Sequence, residues 1–202
     1  MLDLAPRLET LLALEPIVAW RAWSLTSRRE FTHLRLRPIA GRSHPWPPMR
    51  EAEARCKLAR MHEAPNPDCS CGLHGAQDPD MLRRAKSPSV IGTVALWGRV
   101  VEHELGYRGQ YAYPQRLRLA CHLCLWRWGL RSLPPTVVVR VQRGRLVPLC
   151  DEHLAVSGRY GFPVRPINDA RQVEADLLAT YAVDLLPVPE PSPGRPEPLF
   201  HS

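Results

Sequence analysis

Residues 90–103 read VIGTVALWGRVVEH, the strongest strand signal in the chain. Val, Ile and Thr branch at Cβ, which crowds a helical turn but suits a pleated surface. Gly92 and Gly98 inside the run mark bulges or tight bends. On the downstream side, YRGQYAYPQRLRLA after Gly106 turns into another strand, and Thr136–Gln142 with Leu146–Leu149 form a hairpin around Arg143-Gly144-Arg145. On the upstream side, IVAWRAWSL from Ile17 and FTHLRLRPI from Phe31 are two more strands. Helices are expected only around this β-rich centre. They are an N-terminal helix over 1–16 carrying Leu2, Leu8, Leu11, Leu12 and Leu14, a short segment over 49–61, and one over 76–86 capped by Asp78 with Pro79 at its first position. A C-terminal helix is expected over 166–186, with Val173, Leu177, Leu178, Tyr181 and Leu185 at helical spacing. The fold class is α+β. A small mixed or barrel-like β domain over 17–120 carries an inserted Cys/His-rich stretch at 56–74, and a separate module follows over 121–165. The tail, 187–202, has six prolines in sixteen residues and is expected to be disordered.

The six cysteines supply the clearest chemistry. Met1–Leu14 lacks the basic start and apolar run of a secretory signal, so the chain is expected to be cytoplasmic, where cysteines stay reduced and paired spacing points to metal before disulfides. Cys121-x2-Cys124 is followed by Cys150-x2-His153. Two soft-ligand pairs at two-residue spacing suit a tetrahedral zinc ion, and four protein ligands close its coordination sphere, which makes such a site structural. A redox Cys-x-x-Cys would have no use for the second pair. Earlier in the chain, Cys56, His62, Cys69, Cys71 and His74 fall within nineteen residues. In an extended segment Cys69 and Cys71 point to one face, and Cys56 with His62 would complete a second site, leaving His74 spare. The competing reading is scattered core cysteines. One Zn2+ is therefore expected, and two are allowed.

Two resemblances follow from these residues. The order of a knuckle at 121–124, a hairpin turning at Gly144 and a ligand pair opening a short helix resembles the treble-clef zinc folds, which implies Cys121, Cys124, Cys150 and His153 as ligands. The order of strands over 17–38, loop and helix over 66–86, and the Gly-containing VIGTVALWGRV resembles PUA-type barrels, including the ASCH and EVE groups. That resemblance implies a base-binding aromatic pocket at Trp20, Trp46 and Trp97.

Charge narrows the function classes. The chain has 27 Lys+Arg against 20 Asp+Glu, and residues 82–150 hold twelve basic residues against only Glu102 and Glu104. Such segregation is the footprint of a polyanion partner. Nucleic acid, DNA or RNA, is the first expectation, with Arg83, Arg84, Arg99, Arg108, Arg116, Arg118, Arg140, Arg143 and Arg145 as phosphate contacts. A zinc-stapled module docking a protein partner through 166–202 is the second. A zinc hydrolase using Cys56, His62, Cys69 and Cys71 with Glu63 as general base ranks third, for want of a recognisable nucleophile and base pair. No apolar stretch approaches the roughly 20 residues needed to span a bilayer, so no membrane is expected.

Overall fold

In the computed structural model, residues 10–27, 34–39, 44–57, 62–141, 144–160 and 166–189 are described. The chain runs β1 (Thr10–Ser27), β2 (Leu34–Pro38), β3 (Ala52–Glu53), β4 (Leu73–Ala76), a 3-10 helix (Pro79–Arg84), β5 (Val90–His103) and β6 (Gly106–Leu119). It continues through α1 (His122–Trp128), β7 (Val137–Arg140), β8 (Arg145–Leu149), α2 (Asp151–Ala155), β9 (Pro166–Asp169), α3 (Ala170–Tyr181) and β10 (Asp184–Leu185). Among the described residues every ladder apart from the parallel pair β10–β6 is antiparallel.

VIGTVALWGRVVEH is the hub. As β5 it pairs with β1 on one side and β6 on the other. Strand β6 pairs with β4 from Leu73↔Gly109 to Ala76↔Gly106, and β4 returns to β1 at Trp20↔Ala76. The hydrogen-bonded order β1–β5–β6–β4 thus comes back to its start. The glycines act where expected. The register shifts between Trp97 and Val100, where Gly98 has φ +74°, and a Cβ at Gly92 would lie 2.0 Å from the Arg116 carbonyl oxygen, next to the shift at Thr93/Val94.

One apolar cluster joins this centre to the rest. Trp23, Leu25, Leu36, Leu96, Leu117 and Leu119 pack with Leu146 of β8 and with Val173, Leu177 and Tyr181 of α3. Each fully buried side chain of this size contributes about 1.5–3 kcal/mol. The Tyr181 hydroxyl also donates to the Trp46 carbonyl and accepts from the Leu36 amide, both at 2.9 Å, while the Tyr113 hydroxyl donates to the Tyr181 carbonyl at 2.6 Å. Burial pushes the Tyr181 phenol up to about 12, so it remains a donor. Helix α3 thereby pins the loop that follows β2.

Three sequence expectations change. Residues 10–16, assigned to an N-terminal helix, are strand: Thr10–Ala13 pair with Gly98–Val101, and the cross-strand partner overrides the leucine spacing. Residues 1–9 lie outside the described ones. The C-terminal helix is shorter than 166–186. Pro166–Asp169 instead pair with β7, and Asp169 then caps α3 by accepting from the Arg171 amide at 2.8 Å, while Asp184 and Leu185 pair with β6 after the left-handed turn at Ala182. No helix forms over 49–57; Ala52 and Glu53 pair with β6 instead. The tail beyond 189 is outside the described residues.

Tyr181→Phe leaves the Leu36 amide and the Trp46 carbonyl without their shared partner. It should lower stability by about 1–3 kcal/mol in denaturant unfolding, with secondary structure unchanged.

Candidate metal centres and the basic groove

Both sets of four residues picked out by spacing converge. In each of the groups Cys56, His62, Cys69, Cys71 and Cys121, Cys124, Cys150, His153, the four ligand atoms lie within 4.8 Å of one another, and none of the six cysteines is in a disulfide. A tetrahedral zinc ion at ordinary bond lengths sets ligand separations of ~3.8 Å between sulfurs and ~3.6 Å between sulfur and nitrogen. The Cys56–Cys69 sulfurs are 3.8 Å apart and the Cys124–Cys150 sulfurs 3.5 Å. His62 Nε2 is 3.4 Å from Cys71 Sγ, and His153 Nδ1 is 3.1–3.5 Å from the other three sulfurs of its group. The donor sets therefore fit a metal ion of zinc's size and softness.

The second cluster is built by two short helices. Cys121 and Cys150 stand at the N-caps of α1 and α2, and Cys124 and His153 follow in their first turns. Backbone turns at Leu125 N–Cys121 O (2.9 Å) and Leu154 N–Cys150 O (2.8 Å) hold each pair, and β8 carries Cys150 toward Cys121. All three sulfurs are buried within a shell containing Val139, Val147 and Leu149. Hydrogen bonds from the Cys124 side chain and from the Cys124 and Cys150 amides lower the Cys121 thiol to about 4. The neighbouring Cys121 thiolate and burial push the Cys124 thiol up, and burial does the same to Cys150. Such crowding admits several thiolates together only with a cation between them.

The first cluster is half-buried and rests on Arg108. That guanidinium, 5% exposed, donates from Nη1 to the carbonyls of Asn66 (3.1 Å), Cys71 (3.0 Å) and Cys69. It converts the loop 66–71 into a fixed turn. Burial, with the thiols of Cys69 and Cys56 nearby, pushes the Cys71 thiol up. His74 is not in the cluster; its Nε2 lies 3.1 Å from the Ser70 carbonyl. Glu63, the general base of the hydrolase reading, is held by Arg99 at 2.5 Å, and an ion bound by all four residues would have no open position for a reactive water.

The arginines expected to face phosphate do not share one surface. Arg108 and Arg118 are buried, and Arg118 donates to the Leu130 carbonyl at 2.7 Å, so both are spent inside the fold. Arg83 caps the end of α1 by donating to the Trp126 and Arg127 carbonyls at 3.0 and 3.1 Å. Arg99 is paired with Glu63; Arg140 and Arg145 are half-buried in the hairpin, and Arg143 lies outside the described residues. Arg84 and Arg116 are exposed.

Cationic side chains gather elsewhere. A groove of about 1470 Å³ is lined by Arg21, Arg50, Arg55, Lys57, Arg84 and Lys86, against only Glu51 and Glu53 among acidic residues. Its walls are the loop 44–57, residues 70–76 and the 3-10 helix end at 81–86, with β1 at Trp20–Ala22. Of the three tryptophans assigned to a base pocket, Trp20 lines it half-buried. Trp46 lines it but is 3% exposed, edge-on to Trp23 at 5.4 Å and covered by the Arg21 guanidinium at 4.9 Å. Trp97 does not line it and packs on Tyr111 instead. Only Arg84 of the groove's cations was in the sequence-derived set. Lys86 lies inside the dense 82–150 window but was not in that set, the other four fall outside the window, and only folding brings them together.

Arg108→Met should strip the three carbonyls of their donor. The expected result is loss of metal from the first cluster under mild chelation while the second cluster keeps its ion, read as one equivalent per chain by metal analysis.

No protein-family model, curated protein or solved structure matches this chain.

Proposed function

We propose that the chain is a zinc-stapled nucleic-acid-binding protein in which both ions are structural and the groove is the binding surface. The observation that carries this reading is the collection of six cationic side chains around a cavity that also exposes Trp20 and Tyr111. Phosphate meets cations and bases meet aromatic faces in such a surface. At about 1470 Å³ it exceeds the roughly 300–1,000 Å³ of pockets for single small molecules. No carboxylate pairs with Arg50, Arg84 or Lys86 among the described residues. The second cluster, with its hairpin between two ligand pairs, is read as a treble-clef-like staple. The barrel-like reading of the β-rich part rests on the return of β4 to β1.

The first cluster links metal to binding. Cys56 lies between the groove-lining Arg55 and Lys57, and Cys71 lines the groove from the 70–76 wall, so an ion held by both clamps the two sides of the groove. The docking alternative is less favoured, because the apolar face of α3 is already buried in the core.

Protein purified without added zinc should carry two equivalents per chain. Cys124→Ser should unfold the hairpin and lose on the order of 10 kcal/mol of metal-linked stability, whereas Cys71→Ser should leave the sheet folded by circular dichroism and open the groove. Less than half an equivalent with the fold intact would overturn the zinc reading.

Binding should be read by fluorescence anisotropy with single- and double-stranded DNA and RNA across a salt series. Affinity should fall with a log–log slope of roughly 0.7–0.9 per phosphate contact, and the double variant Arg50→Glu, Arg84→Glu should weaken it at least tenfold without a change in unfolding temperature. No binding to any of the four at about 50 mM salt would transfer the reading to a protein-docking module.

A further inference from the structure

The rim of the groove and its floor are chemically different. Arg50, Arg84 and Lys86 are exposed at the rim, as is Arg55, which pairs there with Glu53 at 3.3 Å. Arg21, half-buried, belongs to β1 and lies inward. Its guanidinium is fixed over the Trp46 ring, 5.9 Å from that of Trp23, and donates from Nη1 to the His74 carbonyl. No carboxylate pairs with it among the described residues, and its Nε has no acceptor. Burial lowers its pKa to about 10, which still leaves it cationic at neutral pH. A cation held out of bulk water without a counter-charge costs free energy that an arriving anion recovers. Around it the same cavity presents Trp20, half-buried on β1, and Tyr111, half-buried on β6.

A duplex keeps its bases paired inside and offers a partner mainly its backbone. It can engage the rim, but its bases cannot reach Trp20 and Tyr111, and its phosphates are not free to follow the cavity inward. A single strand can do both. We propose that the groove takes a single-stranded segment of nucleic acid, with one phosphate on Arg21 at the floor, bases against Trp20 and Tyr111, and flanking phosphates on Arg50, Arg84 and Lys86. This rests on the nucleic-acid reading above and narrows it to one strand state.

The test uses the full zinc-loaded chain and fluorescently labelled ten-nucleotide strands of mixed sequence, in DNA and RNA form, with their blunt duplexes, at one fixed salt concentration. The single strands are expected to bind at least tenfold more tightly than the duplexes. Arg21→Gln should erase most of that preference, lowering single-strand affinity about tenfold while leaving duplex affinity within twofold. Arg21→Lys, which keeps the charge without the planar fork, should fall between. Arg50→Glu should weaken both strand states together. Equal or tighter duplex binding by the unaltered protein overturns the proposal and leaves the nucleic-acid reading standing. So does a folded Arg21→Gln whose single-strand affinity is unchanged. If neither strand state binds, it is the nucleic-acid reading that fails.

Discussion

Three thiols and an imidazole brought within 4.8 Å of one another make a demanding arrangement, and this chain contains it twice. Without a cation, each thiolate opposes the ionisation of the next, and burial opposes them all. With one, the same crowding becomes a cross-link between segments that the sheet does not otherwise join. An ion in the second cluster would lock the starts of α1 and α2 to the β7–β8 hairpin. One in the first would tie the loop carrying Arg50 and Arg55 to the segment that leads into the strand completing the β1–β5–β6–β4 circuit. Everything proposed about binding depends on the tie at the first cluster, because it joins opposite walls of one groove.

Arginine does two jobs here, and they must be told apart. Arg108, Arg118 and Arg83 satisfy backbone carbonyls that no ladder or helix reaches, at loop 66–71, at Leu130 and at the end of α1. A guanidinium is suited to this because its planar fork spans several acceptors at once. These residues are positive in composition yet contribute stability rather than a surface. Arg50, Arg84 and Lys86 touch no carboxylate among the described residues and remain available to an outside anion. Charge density along a chain measures both populations together, which is why the 82–150 excess points to a neighbourhood but not to a face.

Aromatic residues divide in the same way. Trp23 and Trp46 stack edge to face in the core and, through Trp46, position Arg21. Trp97 and Tyr111 stand against each other across the β5–β6 ladder, and of the two only Tyr111 also faces the groove. Tyr181 and Tyr113 carry the hydrogen bonds that fasten α3 to the loop after β2. The groove is therefore a by-product of core packing: its inner cation is held by rings that are themselves buried.

By itself the sequence determined the two Cys/His clusters that could hold a metal ion and the longer strands of the β-rich centre. The eight candidate ligands were legible because coordination chemistry restricts residue type, and three of the four pairs, Cys69/Cys71, Cys121/Cys124 and Cys150/His153, lie two or three residues apart and carry their geometry locally, whereas Cys56 and His62 are six apart. The strands β5, β6, β7 and β8 and the bulge at Gly98 were legible because β-branched runs and interior glycines have few other uses. Tertiary structure alone decided what depends on distant partners. Thr10–Ala13 became strand because β5 supplied an edge, and Pro166–Asp169 because β7 did. Arg21, Arg50, Arg55, Lys57 and Lys86, scattered along the first 86 residues, became neighbours only when the first cluster and the returning strand β4 closed the walls around them. Local chemistry is written in short stretches of chain, but a surface is a sum over long-range contacts, and only the folded chain performs that sum.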